Sequence, residues 1–371
     1  MAGWHPRSVK YRMETSLRNE IEALPSLLER EIQAFFHRQK ERYDYGEMFE
    51  PVYFDMCEYV GRKGKRIRPL LFALTYRALG GTKPVQDPAV VAAALSLELL
   101  HAFVLVHDDL IDRSEKRRGL PTFHKLVEQR LGRLSSAERT GHGVAVVVGD
   151  LLFALSVETL QTAGFAEPHR SGALGKLLAY ITDTGVGEIF DILLGSRDIG
   201  RVTAQEIERT YLLKTTRYTF EAPCVLGAIL AGASADKQED LASVMEPLGL
   251  AFQIQNDLLE FSHFDSRDQL LPTDLLEGKK TLLVREAYER LGEVDRSFLQ
   301  MCLQNPTRNE SSISKVQDLI RKSGAIGAMQ ERCRTLFDEA SQKLAGSHLA
   351  ADEQNSIAQA IAWVRQSVRT A

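Results

Sequence analysis

The chain is poor in cysteine, in net charge and in strand-like alternation. Its four cysteines, Cys57, Cys224, Cys302 and Cys333, stand far apart with neither CxxC nor metal-ligand spacing, which argues against a disulfide framework. A formal net charge of -4 and a pI near 6.2 speak against a general nucleic-acid or anionic-membrane binder. The opening stretch MAGWHPRSVKYRMETS has no apolar core of the kind a secretory leader needs, and no run reads as the roughly 20 apolar residues of a spanning helix. These gaps leave a cytoplasmic globular protein without a membrane span as the expectation. Hydrophobic residues make up 44% of 371 positions, enough for a substantial core.

What is present reads as helix after helix. PLLFALTYRALGG opens with Pro69 in a first turn and closes at Gly80 and Gly81. PAVVAAALSLELLHAFVLVHDDLI, residues 88–111, is apolar on nearly every side until its last turn, the mark of a buried helix. The stretches 143–161 and 246–261 look equally central. Thr203 and Glu206 have capping-box spacing, and Pro223 and Pro247 are expected to kink or split their helices. Residues 132–142, 263–274 and 304–312 read as loops, none long enough to link domains. The expected architecture is all-α: one domain over 1–371, a single large helical bundle with its polar clusters turned inward.

Two acidic clusters end buried helices. In HDDLIDRSEKRRG, residues 107–119, Asp108 and Asp112 lie four apart and so share one helix face, with Asp109 turned partly away. Paired carboxylates at that spacing suit Mg²⁺, which binds one or two of them and leaves its remaining positions to water and phosphate oxygens. NDLLE at 256–260 repeats the geometry with Asn256 and Glu260, and Asp257 beside them. Clusters facing each other across a bundle would hold several Mg²⁺ ions and a diphosphate.

The cations also cluster. GRKGKRIRP at 61–69 puts Arg62, Lys63, Lys65, Arg66 and Arg68 just before a helix, an arrangement suited to anions. Arg117 with Arg118, and Lys214 with Thr215, form two further groups. Acids, bases and a greasy interior together imply a ligand with phosphate at one end and hydrocarbon at the other.

With these motifs in order, the sequence resembles the trans-isoprenyl diphosphate synthases, the polyprenyl synthetase family, from about residue 60 to about 284. GKRIRP (64–69), LLHAFVLVHDDLIDRSEKRRGLPTFH (99–124), GDLLFAL (149–155), KT (214–215), FQIQNDLLEF (252–261) and DLLEGKKTLL (274–283) carry the likeness. The resemblance implies an isoprenoid-synthase bundle around a central apolar cavity, a homodimer, and head-to-tail condensation of isopentenyl diphosphate with an allylic diphosphate: dimethylallyl, geranyl or farnesyl. It implies that Asp108 and Asp112 bind Mg²⁺, three ions in all once diphosphate is bound, with Asn256, Asp257 and Glu260 as the second metal motif. Lys65, Arg68, His101 and Arg118 would bind isopentenyl diphosphate. Arg117, Lys214, Thr215, Gln253 and Lys279 would face the allylic substrate.

Four positions depart from the family pattern. Asn256 and Glu260 stand where aspartates are usual, and Gln269 replaces a lysine ten residues before Lys279. Glu188 stands where many relatives carry glutamine ahead of Asp191. Phe103, five residues before Asp108, is followed by the smaller Val104. In the family an aromatic at that place alone goes with products near twenty carbons, so geranylgeranyl diphosphate is expected, with farnesyl diphosphate next. A class I terpene cyclase and a non-catalytic subunit of a heteromeric synthase are the competing readings. A cyclase would leave GKRIRP, His101 and Arg118 without a role.

Overall fold

The structure is a computed structural model that describes residues 15–42, 45–117, 119–262, 273–305 and 309–367. Among the described residues the regular structure is helical apart from one two-stranded hairpin, as expected of an all-α chain. By packing, the chain divides into two compact units, Glu14–Leu174 with Ile229–Gly232, and Gly175–Ala228 with Ala233–Ala371.

The first unit contains α1 (Thr15–Arg42), α2 (Glu50–Gly61), α3 (Ile67–Ala78) and α4 (Pro88–Ile111). A hairpin of β1 (Lys116–Arg117) and β2 (Leu120–Pro121) follows, then α5 (Phe123–Leu131) and α6 (Ala137–Gln161). Helix α4 starts where the sequence says it should. Asp87 caps it by accepting from Ala89 N at 2.9 Å, and Pro88 occupies the first turn, where a missing N–H costs nothing. Its apolar surface is buried against α3 and α6. The approach to α6 is close enough to dictate Gly149: a Cβ there would lie 2.1 Å from His107 Nε2. Ser156 Oγ adds a polar tie by donating to Ser96 O at 2.7 Å.

Against expectation, α4 and α6 are each long and apolar enough to cross a membrane. Length and composition alone do not separate a spanning helix from a core helix, and most of α4 is covered inside its own unit. Helix α6 starts at Ala137, so the loop expected over 132–142 shrinks to its first half.

Helix α7 (Glu167–Ser196) leads into α8 (Ala204–Tyr211), whose capping box is formed as expected. Thr203 Oγ1 accepts from Glu206 N at 3.2 Å, and Glu206 Oε2 accepts from Thr203 N at 2.8 Å. The chain then widens into a π-helix over Leu212–Glu221 before α9 (Ala222–Ala231). Pro223 therefore sits at the change of register from π to α, where its missing N–H breaks no regular ladder, rather than splitting a helix.

Helix α10 (Ala235–Ser262) runs unbroken past Pro247. The lost hydrogen bond is outweighed by burial, with Val244, Met245, Leu248 and Ala251 all fully enclosed. Short α11 (Thr273–Glu277) and α12 (Leu282–Arg290) precede α13 (Glu293–Gln304), α14 (Glu310–Ser323), α15 (Ala325–Ala345) and α16 (Ala351–Ser367), with α15 packed along α10.

Candidate active site

In the first unit the acidic end of α4 is an organised cluster rather than a solvated helix tip. Asp108 and Asp112 stand one turn apart, with Asp112 N donating to Asp108 O at 2.9 Å. The β1–β2 hairpin, whose turn passes through Gly119 at φ +78°, carries Arg117 back over this turn. Arg117 donates to Asp108 Oδ2 at 2.8 Å through an Nη and to Asp109 Oδ1 at 2.7 Å through Nε. Asp109 is buried, and its other oxygen accepts from Tyr59 OH at 2.8 Å. Burial pushes the Asp109 carboxyl up, while Arg117 and Tyr59 hold it down. Asp109 is thus an internal support, and Asp108 and Asp112, both partly exposed, are the pair available at the helix end. Two oxygen donors one turn apart, backed by a fixed cation, fit a hard divalent ion such as Mg²⁺.

The basic loop before α3 sorts into two kinds of cation. Arg66 is buried at the helix N-cap with φ +48°, a costly conformation for a side chain with a Cβ. It is held there by an ion pair to Glu98 of α4 and by donation to the carbonyls of Val60 and Arg62. Arg62 pairs with Glu58, donates to Pro121 O at 2.8 Å and stacks 4.7 Å over the Tyr59 ring. These two arginines shape the loop. Lys63 and Lys65 are exposed, and Arg68 lies in the first turn of α3. His101 is half-buried on α4, seven residues before Asp108. Arg118 and Gln269 lie outside the described residues.

Phe103 and Val104 are half-buried on α4. The Phe103 ring lies 5.4 Å from that of Phe153 on α6 and 5.1 Å from that of His107. Phe153 belongs to GDLLFAL, but sequence spacing alone did not link it to Phe103.

In the second unit the π-helix positions the lysine–threonine pair. Gly187 on α7 lies against its backbone, where a Cβ would fall 2.3 Å from Lys214 N. Gly249 on α10 meets Thr216, whose Cγ2 would be 2.4 Å from an added Cβ. Clamped between these glycines, Lys214 Nζ reaches Glu188 at 2.8 Å and Asp191 at 2.7 Å, and Thr215 is half-buried beside it. Glu188 therefore has a defined role: it is a second carboxylate on Lys214.

On α10, Asn256 and Glu260 are half-buried one turn apart, and Glu260 Oε1 accepts from Asp274 N at 3.0 Å. Asp257 behaves differently. It is buried, with Oδ2 accepting from Tyr211 OH at 2.5 Å and Oδ1 accepting from Gln253 Nε2 at 2.9 Å. Burial pushes its carboxyl up to about 7, against the lowering effect of those two hydrogen bonds. Tyr211 in turn accepts from Leu282 N at 3.1 Å. Lys279 pairs with Glu277 at 2.8 Å. Burial and the charges of Glu260 and Asp257 push the Asp274 carboxyl well up, so this part of the unit holds more acid than the NDLLE motif alone suggests. Tyr211 and Asp274 were missed from sequence, because only the fold brings them to α10.

Motif order and this geometry can be set against known proteins. A family model for polyprenyl synthetase matches residues 50–320. The chain belongs to the polyprenyl synthetase family. It is 34% identical over 268 residues to a short chain isoprenyl diphosphate synthase of Methanothermobacter thermautotrophicus, spanning 71% of this chain and 74% of that one. A geranylfarnesyl diphosphate synthase of Aeropyrum pernix is 30% identical over 282 residues, 75% and 81% of the two chains. The solved geranylgeranyl pyrophosphate synthase of Corynebacterium glutamicum, in complex with isoprenyl diphosphate and magnesium, matches with a TM-score of 0.84 at 25% identity, covering 95% and 99%. The architecture is the isoprenoid-synthase fold, and the chain is an enzyme of the isoprenyl diphosphate synthase family.

Proposed function

We propose that this enzyme is a Mg²⁺-dependent trans-prenyltransferase that condenses isopentenyl diphosphate head-to-tail with an allylic diphosphate, making mainly geranylgeranyl diphosphate. The observation that carries the reading is the organised end of α4: Asp108 and Asp112 one turn apart, with Arg117 folded back onto Asp108 and Asp109. Asp108 and Asp112 in the first unit, and Asn256 and Glu260 in the second, would each hold Mg²⁺, three ions in all, and bound Mg²⁺ would neutralise the leaving diphosphate. Asp257 serves from behind, fixing α10 through Tyr211 and Gln253. Gln253 and Thr215 border this part of the allylic site.

Arg117, Lys214 and Lys279 receive the negative charge that grows on the diphosphate as the allylic C–O bond breaks. Lys65, Arg68, His101 and Arg118 hold isopentenyl diphosphate, whose double bond supplies the electron pair for the new C–C bond. The proton then lost from the isopentenyl unit goes to the departing diphosphate. Apolar residues around the reacting carbons keep water from capturing the cation. Phe103, braced by Phe153, limits the growing hydrocarbon.

Two copies are proposed to pair. Helix α6 leaves Val146, Val147 and Leu151 exposed, and α7 leaves Ile189, Phe190, Ile192 and Leu193 exposed, which is costly for an isolated chain. All four cysteines are free thiols, in keeping with a reducing, cytoplasmic setting.

Incubation with Mg²⁺, labelled isopentenyl diphosphate and each of the dimethylallyl, geranyl and farnesyl diphosphates tests the reading. Linear twenty-carbon diphosphate supports it. A hydrocarbon released from an allylic diphosphate alone would indicate a cyclase, and no product from any starter would indicate a non-catalytic subunit.

A further inference from the structure

Within the first unit, away from the motifs above, three side chains of different chemistry converge between α5 and α6. His124 and Glu128 are four apart on α5 and share a face. His142 comes from the second turn of α6. One nitrogen of each imidazole and one oxygen of the carboxylate all lie within 4.8 Å of one another. His142 Nε2 is 3.9 Å from Glu128 Oε1, and the two rings meet edge-on with centroids 5.2 Å apart.

The fold makes room for this meeting. A Cβ at Gly141 would sit 2.7 Å from His124 O and 2.8 Å from Glu128 Cγ, so glycine beside His142 lets the two helices close up. Each donor is also prepared. Glu128 Oε2 accepts from Lys125 at 2.8 Å, whereas Oε1 is buried and has no hydrogen-bond partner, a costly state for a carboxylate oxygen. His124 is 1% exposed, and its Nδ1 lies 3.3 Å from Thr122 Oγ1. That hydroxyl gives its one proton to Ser114 O at 2.8 Å, so it accepts from Nδ1–H and leaves the lone pair on Nε2. A hydroxyl of this kind fixes the orientation and tautomer of a metal-binding imidazole.

We propose that His124, Glu128 and His142 form a site for a borderline-soft divalent transition metal of the Zn²⁺ class, separate from the carboxylate sites for Mg²⁺. Two imidazoles and one carboxylate are a donor set that Zn²⁺ and Co²⁺ favour and Mg²⁺ does not. Ligand atoms around tetrahedral Zn²⁺ are about 3.3–3.6 Å apart for bonds of about 2.0–2.2 Å. The three donors lie within 4.8 Å of one another, so an ion would draw them closer, and His142, whose side chain is 40% exposed, is the donor with most room to move. The ion would clip α5 to α6, and hence tie the helix after the Arg117 hairpin to the helix bearing GDLLFAL.

The test uses the full-length chain freed of transition metal and kept in excess Mg²⁺, titrated with Co²⁺ while visible absorption is recorded. One equivalent should bind with the intense bands of a four-coordinate nitrogen–oxygen site, and one equivalent of Zn²⁺ should displace it and raise the melting temperature. His142→Ala, at a half-exposed position, and Glu128→Gln should each weaken Co²⁺ binding by more than about tenfold and abolish the Zn²⁺-dependent rise. Asp112→Ala should leave both unchanged. Co²⁺ binding that survives His142→Ala, or that is lost in Asp112→Ala, would overturn the proposal.

Discussion

Lys214 and Glu188 form an ion pair at 2.8 Å, and Asp191 stands 2.7 Å from the same ammonium. A cation proposed to meet a diphosphate is thus already shared between two carboxylates. The phosphate must compete with both of them for Lys214. Glu188→Gln removes one competitor while keeping the shape of the side chain. The Michaelis constant for the allylic diphosphate should fall severalfold, with little change for isopentenyl diphosphate. Equal changes for both substrates would show that Glu188 acts on the fold and not on Lys214.

The second metal motif offers a carboxamide at Asn256, half-buried one turn from Glu260. Asn256→Asp restores a charged oxygen donor there. The Mg²⁺ concentration giving half-maximal rate should drop, and kinetics at a series of Mg²⁺ concentrations would show it. An unchanged or higher requirement would remove Asn256 from the metal set.

Legibility from sequence followed the range of the interaction. Helix α4 and the Thr203–Glu206 capping box were readable because their signals are local: an apolar run ended by acids, and a three-residue spacing. The acidic pair Asp108 and Asp112 was readable for the same reason. The sorting of the basic loop was not. Arg66 and Arg68 look alike in the sequence, and only Glu98, 32 residues away, marks Arg66 as structural. The π-helix was equally hidden, since Pro223 suggests a break and the clamping glycines, Gly187 and Gly249, come from other helices. Nor does anything local in the sequence link Asp257 to Tyr211, 46 residues earlier, whose hydroxyl donates to its carboxylate.

Glu221 gives the second unit a pH-dependent stability. Burial pushes its carboxyl from 4.5 up to about 7, with Glu246 and Asp183 adding to the rise and Arg217 opposing it. The folded state therefore holds this proton more tightly than the unfolded chain does. Stability falls as pH rises from about 4.5 to about 7 and is level above that. At about 1.4 kcal/mol per pKa unit, Glu221→Gln should gain about 1–3 kcal/mol over the wild type between pH 5 and pH 8. Urea midpoints of both proteins at the two pH values would measure it. A difference independent of pH would mean that Glu221 is charged in the native state.

Chain length should depend on Phe103 together with Phe153, whose rings are 5.4 Å apart. Phe103→Ala should shift the product mixture towards longer chains, and Val104→Phe should shorten it. Phe153→Ala should act in the same direction as Phe103→Ala but less strongly, because it removes the brace and not the stop. Product analysis after dephosphorylation would decide. An unchanged distribution in all three variants would place the chain-length limit on another helix.

The most direct measurement of the central claim is the steady-state rate of isopentenyl transfer in Asp108→Ala and Asp112→Ala, with helicity followed by circular dichroism. Both carboxylates end α4 at partly exposed positions, so neither loss should unfold the chain. Mg²⁺-dependent condensation at this pair predicts a fall of roughly a thousandfold or more in kcat with unchanged helicity, since several kcal/mol of charge stabilisation are removed from the leaving group. Near-normal turnover in Asp112→Ala, or condensation that proceeds equally well in a chelator, would contradict it.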